Sequence, residues 1–120
     1  MNHAESLEAS IVVFVTAPSA ESARAIARRL VDAQLAACVN VIGSVESIYR
    51  WQGQRCEEPE WLLIIKSRAA LFDRLTAEVK AVHSYSVPEV IALPIVAGSE
   101  EYLRWLREST PSPLGANPSG

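Results

Sequence analysis

Apolar residues fall in two kinds of pattern along this chain. Ile11 to Val15 ("IVVFV") and Trp61 to Ile65 ("WLLII", closed by Lys66) are unbroken runs, the pattern of strands covered on both faces. Two other stretches repeat at helical spacing. Ala20, Ala23, Ile26, Ala27, Leu30 and Val31 predict a helix capped by Ser19, with Glu21 in its first turn, Arg28 and Arg29 near its end and a stop around 32–34. Leu71, Phe72, Leu75, Val79 and Val82 predict a second helix, with Ser67 as its cap. Between the first helix and Trp61, the residues Val39, Val41, Val45, Tyr49 and Trp51 share one alternation, and Gly43 interrupts it as a bulge does. That is one long, bent strand. Gly53 and Pro59 in "QGQRCEEPE" supply a reversal, so a hairpin joins it to the Trp61 run. "VIALPIV" after Glu89 gives a last strand, placed at a sheet edge by Pro94, which lacks the N–H a ladder uses. Gly98 and Ser99 then open a short third helix packed through Tyr102, Leu103, Trp105 and Leu106.

The order β-α-β-β-α-β plus a terminal helix is the α+β, ferredoxin-like split βαβ arrangement, in which the first and third strands take the middle of the sheet. Its two helices cover one face only. Both middle strands are nonetheless apolar on both alternations, and each large aliphatic left in water forfeits roughly 1.5–3 kcal/mol. The second face therefore needs a cover. Sister chains are one cover; the third helix and tail folding across the face are the other.

Composition narrows the class. The 120 residues are 49% hydrophobic and 21% charged with a net charge of −3, values suited to one packed core and not to a basic nucleic-acid surface. The expected organisation is a flexible terminus over residues 1–9, which includes His3, one domain over 10–109, and a disordered tail over 110–120, where three of the seven prolines and two of the five glycines lie. No basic and apolar leader opens the chain, and no apolar run reaches the roughly 20 residues of a membrane helix. Cys38 and Cys56 have neither zinc-knuckle nor disulfide-scaffold spacing, which fits a reducing cytoplasm. Nucleotide P-loop, dinucleotide, zinc-protease and serine-hydrolase motifs are absent from the sequence.

Candidate chemistry gathers at "HSYSVPE". His83 and Glu89, flanking Tyr85 and Pro88, carry groups that bind divalent ions or move protons; the other reading is a turn, with His83 complementing a helix dipole and Glu89 solvated. Cys38 is either a soft metal ligand or reactive thiol, or a buried inert cysteine; Cys56 lies in an acidic loop and reads as exposed. Tyr49, Trp51 and Trp61 cluster at the hairpin, where they line a ligand cleft or anchor a neighbouring subunit. Lys66 attracts an anion or simply extends its amine to water.

The ordered motifs "TAP" at 16–18, "LAACVNV" at 35–41, "YRWQG" at 49–53, "LLIIK" at 62–66, "HSYSVPE" at 83–89, "ALPI" at 92–95 and "GSEEYLRWL" at 98–106 resemble the CutA family of divalent-cation tolerance proteins, over about Ile11 to Glu108. The resemblance implies a ferredoxin-like subunit in a tight homotrimer related to the PII signalling trimers, without an accepted reaction, and linked to tolerance of copper and other divalent ions. Carried onto this chain, the copper-ligand positions of bacterial members read Val15, Val82 and His83, so a metal site draws on His83, Glu89 and Cys38 or on another subunit. The alternative is a PII-like binding module, whose intersubunit cleft around Tyr49, Trp51, Lys66, His83, Tyr85 and Glu89 receives a small anionic ligand or a partner's loop.

Overall fold

The β-branched run at 11–15 becomes strand β1 (Ser10–Ala17), and its alternate side chains enter two different environments. In this computed structural model, which describes residues 9–111, Ile11, Val13, Val15 and Ala17 are buried while Val12, Phe14 and Thr16 on the other face are only half-buried. Helix α1 (Ala20–Asp32), β2 (Cys38–Trp51), β3 (Gln54–Arg68), a 3-10 turn (Ala69–Leu71), α2 (Phe72–Val82), β4 (Val90–Pro94) and α3 (Glu100–Ser109) follow in order. The strands form one antiparallel sheet, β2-β3-β1-β4, so the two most apolar strands are central and the proline-bearing strand is an edge.

Helices α1 and α2 cover the face carrying Val13, Val15, Leu63 and Ile65, with Ile26, Leu30, Leu75 and Val79 packed against it. Each such buried aliphatic contributes roughly 1.5–3 kcal/mol of transfer free energy. Ser19 caps α1 as expected, its hydroxyl accepting from the Ser22 N–H at 3.1 Å. Ser67 does not cap α2. The chain stays extended to Arg68 and enters the helix through the 3-10 turn, so Ser67 points into the core and donates to the Leu35 carbonyl at 2.6 Å. Val31 and Val82, in the last turns of their helices, remain 42% and 40% exposed.

The hairpin is much longer than the reversal read from Gly53 and Pro59. Gln52 and Gly53 make the whole turn, with φ of 51° and 77°, the left-handed pair that matches strand twist. Pro59 lies within β3 opposite Glu46. It is tolerated there because β1 ends at the Ala17–Trp61 pair, leaving β3 an edge strand from Glu60 to Gln54. Residues 45–51 and 54–60 thus form a two-stranded arm of about 23 Å, at ~3.3 Å per residue. The register shifts at Gly43/Val45, where the Trp61 ring occupies the place a Cβ on Gly43 would take.

Helix α3 lies on the other face of the sheet. Leu106 is fully buried there, and Arg68 donates through Nη2 to the Arg107 carbonyl and through Nε to Thr110 Oγ1 at 3.2 Å. The cover is partial. Of the four expected packing residues, Leu103 is half-buried and Tyr102 and Trp105 stay 42% and 44% exposed. Ile91 and Leu93 are more than half exposed on the same face. Thr110 is buried, so the packed chain reaches past Ser109, while His3 and the expected tail beyond residue 111 lie outside the described residues.

Candidate functional site

Where β1 stops and the arm continues, the sheet leaves a step, and the loop after α2 closes it into a cleft of about 370 Å³. Strand alternation places Tyr49 and Trp51 of β2 on the same face as Glu58 and Glu60 of β3, since Tyr49 pairs with Cys56 and Ser47 with Glu58. Tyr85 and Glu89 reach the cleft from the loop, and Thr16 forms part of its floor.

Two contacts hold the loop. The Tyr85 hydroxyl donates to Glu60 Oε2 at 3.0 Å, and His83 Nε2 lies 2.7 Å from the Thr16 carbonyl. The tautomer of His83 follows from its partners. A backbone N–H only donates, so Nδ1 accepts from Tyr85 N at 3.1 Å; a carbonyl only accepts, so Nε2 carries the proton. His83 is the residue after the last turn of α2, in extended backbone, and its ring tilts against Tyr85 with centroids 4.7 Å apart. It braces the loop as a neutral imidazole, which replaces the reading of a cation at the helix end.

Electrostatics in the cleft are acidic. Burial, reinforced by the Glu60 hydrogen bond, pushes the Tyr85 phenol up to about 12. Tyr49 donates to Glu58 Oε1, and that bond chiefly raises its own phenol. Desolvation first and the neighbouring Glu60 charge second raise Glu89.

The structure therefore brings together Tyr49, Trp51, Tyr85 and Glu89, with His83 behind Tyr85. It does not bring Cys38 or Lys66 to them. Both sit level with Val12, four residues along β1 from Thr16, or about 13 Å away at ~3.3 Å per residue. Lys66 donates to the Asn40 side-chain carbonyl, and the half-buried Cys38 lies near Tyr102 of α3. Trp61 packs on the helix-covered side, with the Arg24 guanidinium 5.8 Å from its ring. Glu58 and Glu60 were missed by the motif reading, and Thr16 entered it only as part of "TAP", without a place in the site; for the two glutamates the cause is plain. Taking "RCEEPE" as a loop hid them; read as a strand, its alternate carboxylates fall beside Tyr49.

The family profile described as "CutA1 divalent ion tolerance protein" matches residues 11–109. The chain belongs to the CutA1 family. It is 54% identical over 99 residues to the divalent-cation tolerance protein CutA of Thermus thermophilus, covering 82% of this chain and 96% of that protein. It is 52% identical to the chloroplastic protein CutA of Arabidopsis thaliana over 84% of this chain, but spans only 56% of that longer protein. The periplasmic divalent cation tolerance protein CutA of Archaeoglobus fulgidus superposes with a TM-score of 0.82 at 40% identity, covering 84% of this chain and 98% of the other. Among the described residues, no group of three His, Cys, Asp or Glu side chains is arranged to hold a metal ion, and no helix is long and apolar enough to cross a membrane. Among the described residues, the donors of one chain thus do not fit a copper site: both ring nitrogens of His83 are engaged and Cys38 is remote.

Proposed function

We propose that this protein acts in the response to divalent ions as a CutA-like homotrimer of the PII-like kind, in the cytoplasm, with the cleft beside the hairpin arm as its working site. The observation that carries the reading is the apolar face that α3 leaves uncovered. Ile91, Phe14 and Ile64 form one row across three strands, flanked by Ile42 and Leu93. A contiguous patch of that kind marks an interaction surface, and a two-stranded arm is marginal without one. Sister chains meet both needs, and the likeness to proteins named for divalent-cation tolerance supports the role. The free thiols of Cys38 and Cys56 support a reducing compartment. Sedimentation velocity at micromolar concentration tests the assembly; a stable single chain overturns it.

Metal binding is the narrower part of the proposal. A weak divalent-ion site, copper included, at Glu89 and His83 requires the His83 ring to give up one of its backbone hydrogen bonds and further donors from another copy, with Cys38 as a candidate thiol. Equilibrium dialysis with copper(II) tests it. No uptake, or uptake unchanged in His83→Ala, removes the metal from the reading.

A second reading, a PII-like small-ligand module without metal chemistry, is favoured by the cleft itself. Its sign is reversed from the anionic ligand expected from Lys66, because that amine is remote and carboxylates line the cleft. Neither reading includes a reaction: His83 has no free ring nitrogen to act as a base.

A further inference from the structure

Three aromatic side chains and two carboxylates converge on the cleft, and among the described residues of this chain no cationic side chain lines it. Glu60 is only 6% exposed, and its partner is a neutral phenol. Among the described residues, no lysine or arginine forms an ion pair with Glu60 or Glu89; the arm's ion pair, Arg55 with Glu57, involves the alternation opposite to Glu58 and Glu60. Arg50 likewise alternates away from Tyr49 and Trp51. A carboxylate withdrawn from water without a positive partner is unfavourable, so the cleft holds negative charge that a bound cation would compensate.

The walls decide which cation. Tyr49, Trp51 and Tyr85 line the cavity, and aromatic rings attract a diffuse positive charge over their electron-rich faces, most strongly for tryptophan. A small inorganic ion prefers a cage of closely spaced donors, which the described residues do not form. An alkylated ammonium needs apolar contact and a nearby carboxylate instead. The volume of about 370 Å³ falls within the roughly 300–1,000 Å³ usual for small-molecule sites. We propose that this cleft binds an organic ammonium cation, its alkyl groups against Trp51, Tyr49 and Tyr85 and its charge shared by Glu60 and Glu89.

This deepens the small-ligand reading and rests on it, but not on the metal or the trimer. The experiment titrates tetramethylammonium chloride into the full chain by calorimetry and by tryptophan fluorescence. tert-Butanol serves as a neutral probe of similar bulk, and sodium chloride matches the ionic strength. Tetramethylammonium is expected to bind and tert-butanol not. Glu89→Gln, at an exposed position where the fold is not in question, is expected to weaken binding about tenfold, and Trp51→Leu by a similar factor. Circular dichroism and sedimentation of each variant separate lost binding from lost folding or assembly. Equal binding of the neutral probe, no binding of tetramethylammonium by the folded protein, or copper(II) occupying the cleft while tetramethylammonium does not, overturns the proposal. An assembled protein that ignores tetramethylammonium leaves the proposed trimer standing and sinks this inference alone.

Discussion

The Tyr85 hydroxyl and Glu60 Oε2, 25 residues apart in sequence, meet in a 3.0 Å hydrogen bond that joins the loop after α2 to the base of the β3 arm. Removing the phenol in Tyr85→Phe leaves the buried Glu60 carboxylate without that donor. The expected cost is about 1–3 kcal/mol, read from urea unfolding midpoints, because a buried acceptor loses its partner and gains no water. Adding Glu60→Leu to the phenylalanine variant should recover part of it; equal additivity of the two changes would show that the pair is not coupled.

Alkaline titration provides a second check. Burial and the Glu60 hydrogen bond push the folded Tyr85 phenol up to about 12, above the ordinary phenol value of about 10 that holds in the unfolded chain. Between those values the folded state holds a proton that the unfolded state has released. Stability is therefore full below pH 10 and falls as pH rises toward 12. Tyrosinate absorbance should show a late component that Tyr85→Phe removes.

Glu89 carries a linkage of the same sign, felt already at neutral pH. Its carboxyl is raised by desolvation and by Glu60, so its charge works against folding. Glu89→Gln is expected to leave stability unchanged or raise it by up to about 0.5 kcal/mol, as measured by thermal melting. A clear loss of stability would mean that Glu89 makes a favourable contact in the assembled protein.

Gly43 has no room for a methyl group beneath Trp61. Gly43→Ala should cost about 1–3 kcal/mol through displacement of the indole, and Gly43→Ala with Trp61→Leu should cost less than the sum of the two single changes. Denaturant unfolding of the four proteins closes the cycle.

The uncovered face predicts the effect of charge on assembly. Leu93, 55% exposed on edge strand β4, is not needed for the core of one chain. Leu93→Asp should keep native circular dichroism while shifting sedimentation from the assembly to smaller species. Unchanged sedimentation would show that sister chains meet elsewhere.

Much of this molecule was legible from periodicity. The succession of strands and helices, the Ser19 cap, the bulge beginning at Gly43 and the edge position of the Pro94 strand all follow from local chemistry: side-chain alternation, an N-cap hydroxyl, a missing side chain and a missing N–H. These depend on neighbours within a few residues, so the chain states them directly. The failures share a different origin. Pro59 is a turn signal whose meaning depended on where β1 ended, at Ala17, 42 residues earlier, because only there does β3 become an edge that accepts proline. Ser67 looks like a helix cap until the strand's continuation to Arg68 turns it toward the Leu35 carbonyl.

The candidate site divides in the same way. Tyr49, Trp51, Tyr85 and Glu89 stood out as residue types, and the sequence alone established the family likeness, the fold and an apolar face in need of cover. Only the tertiary structure decided that Lys66 and Cys38 lie apart from the aromatics, that His83 spends both nitrogens on the backbone, and that Glu58 and Glu60 make the cleft acidic. The reason is that a binding surface is a sum over strands brought side by side, and its charge depends on a register that no local pattern encodes.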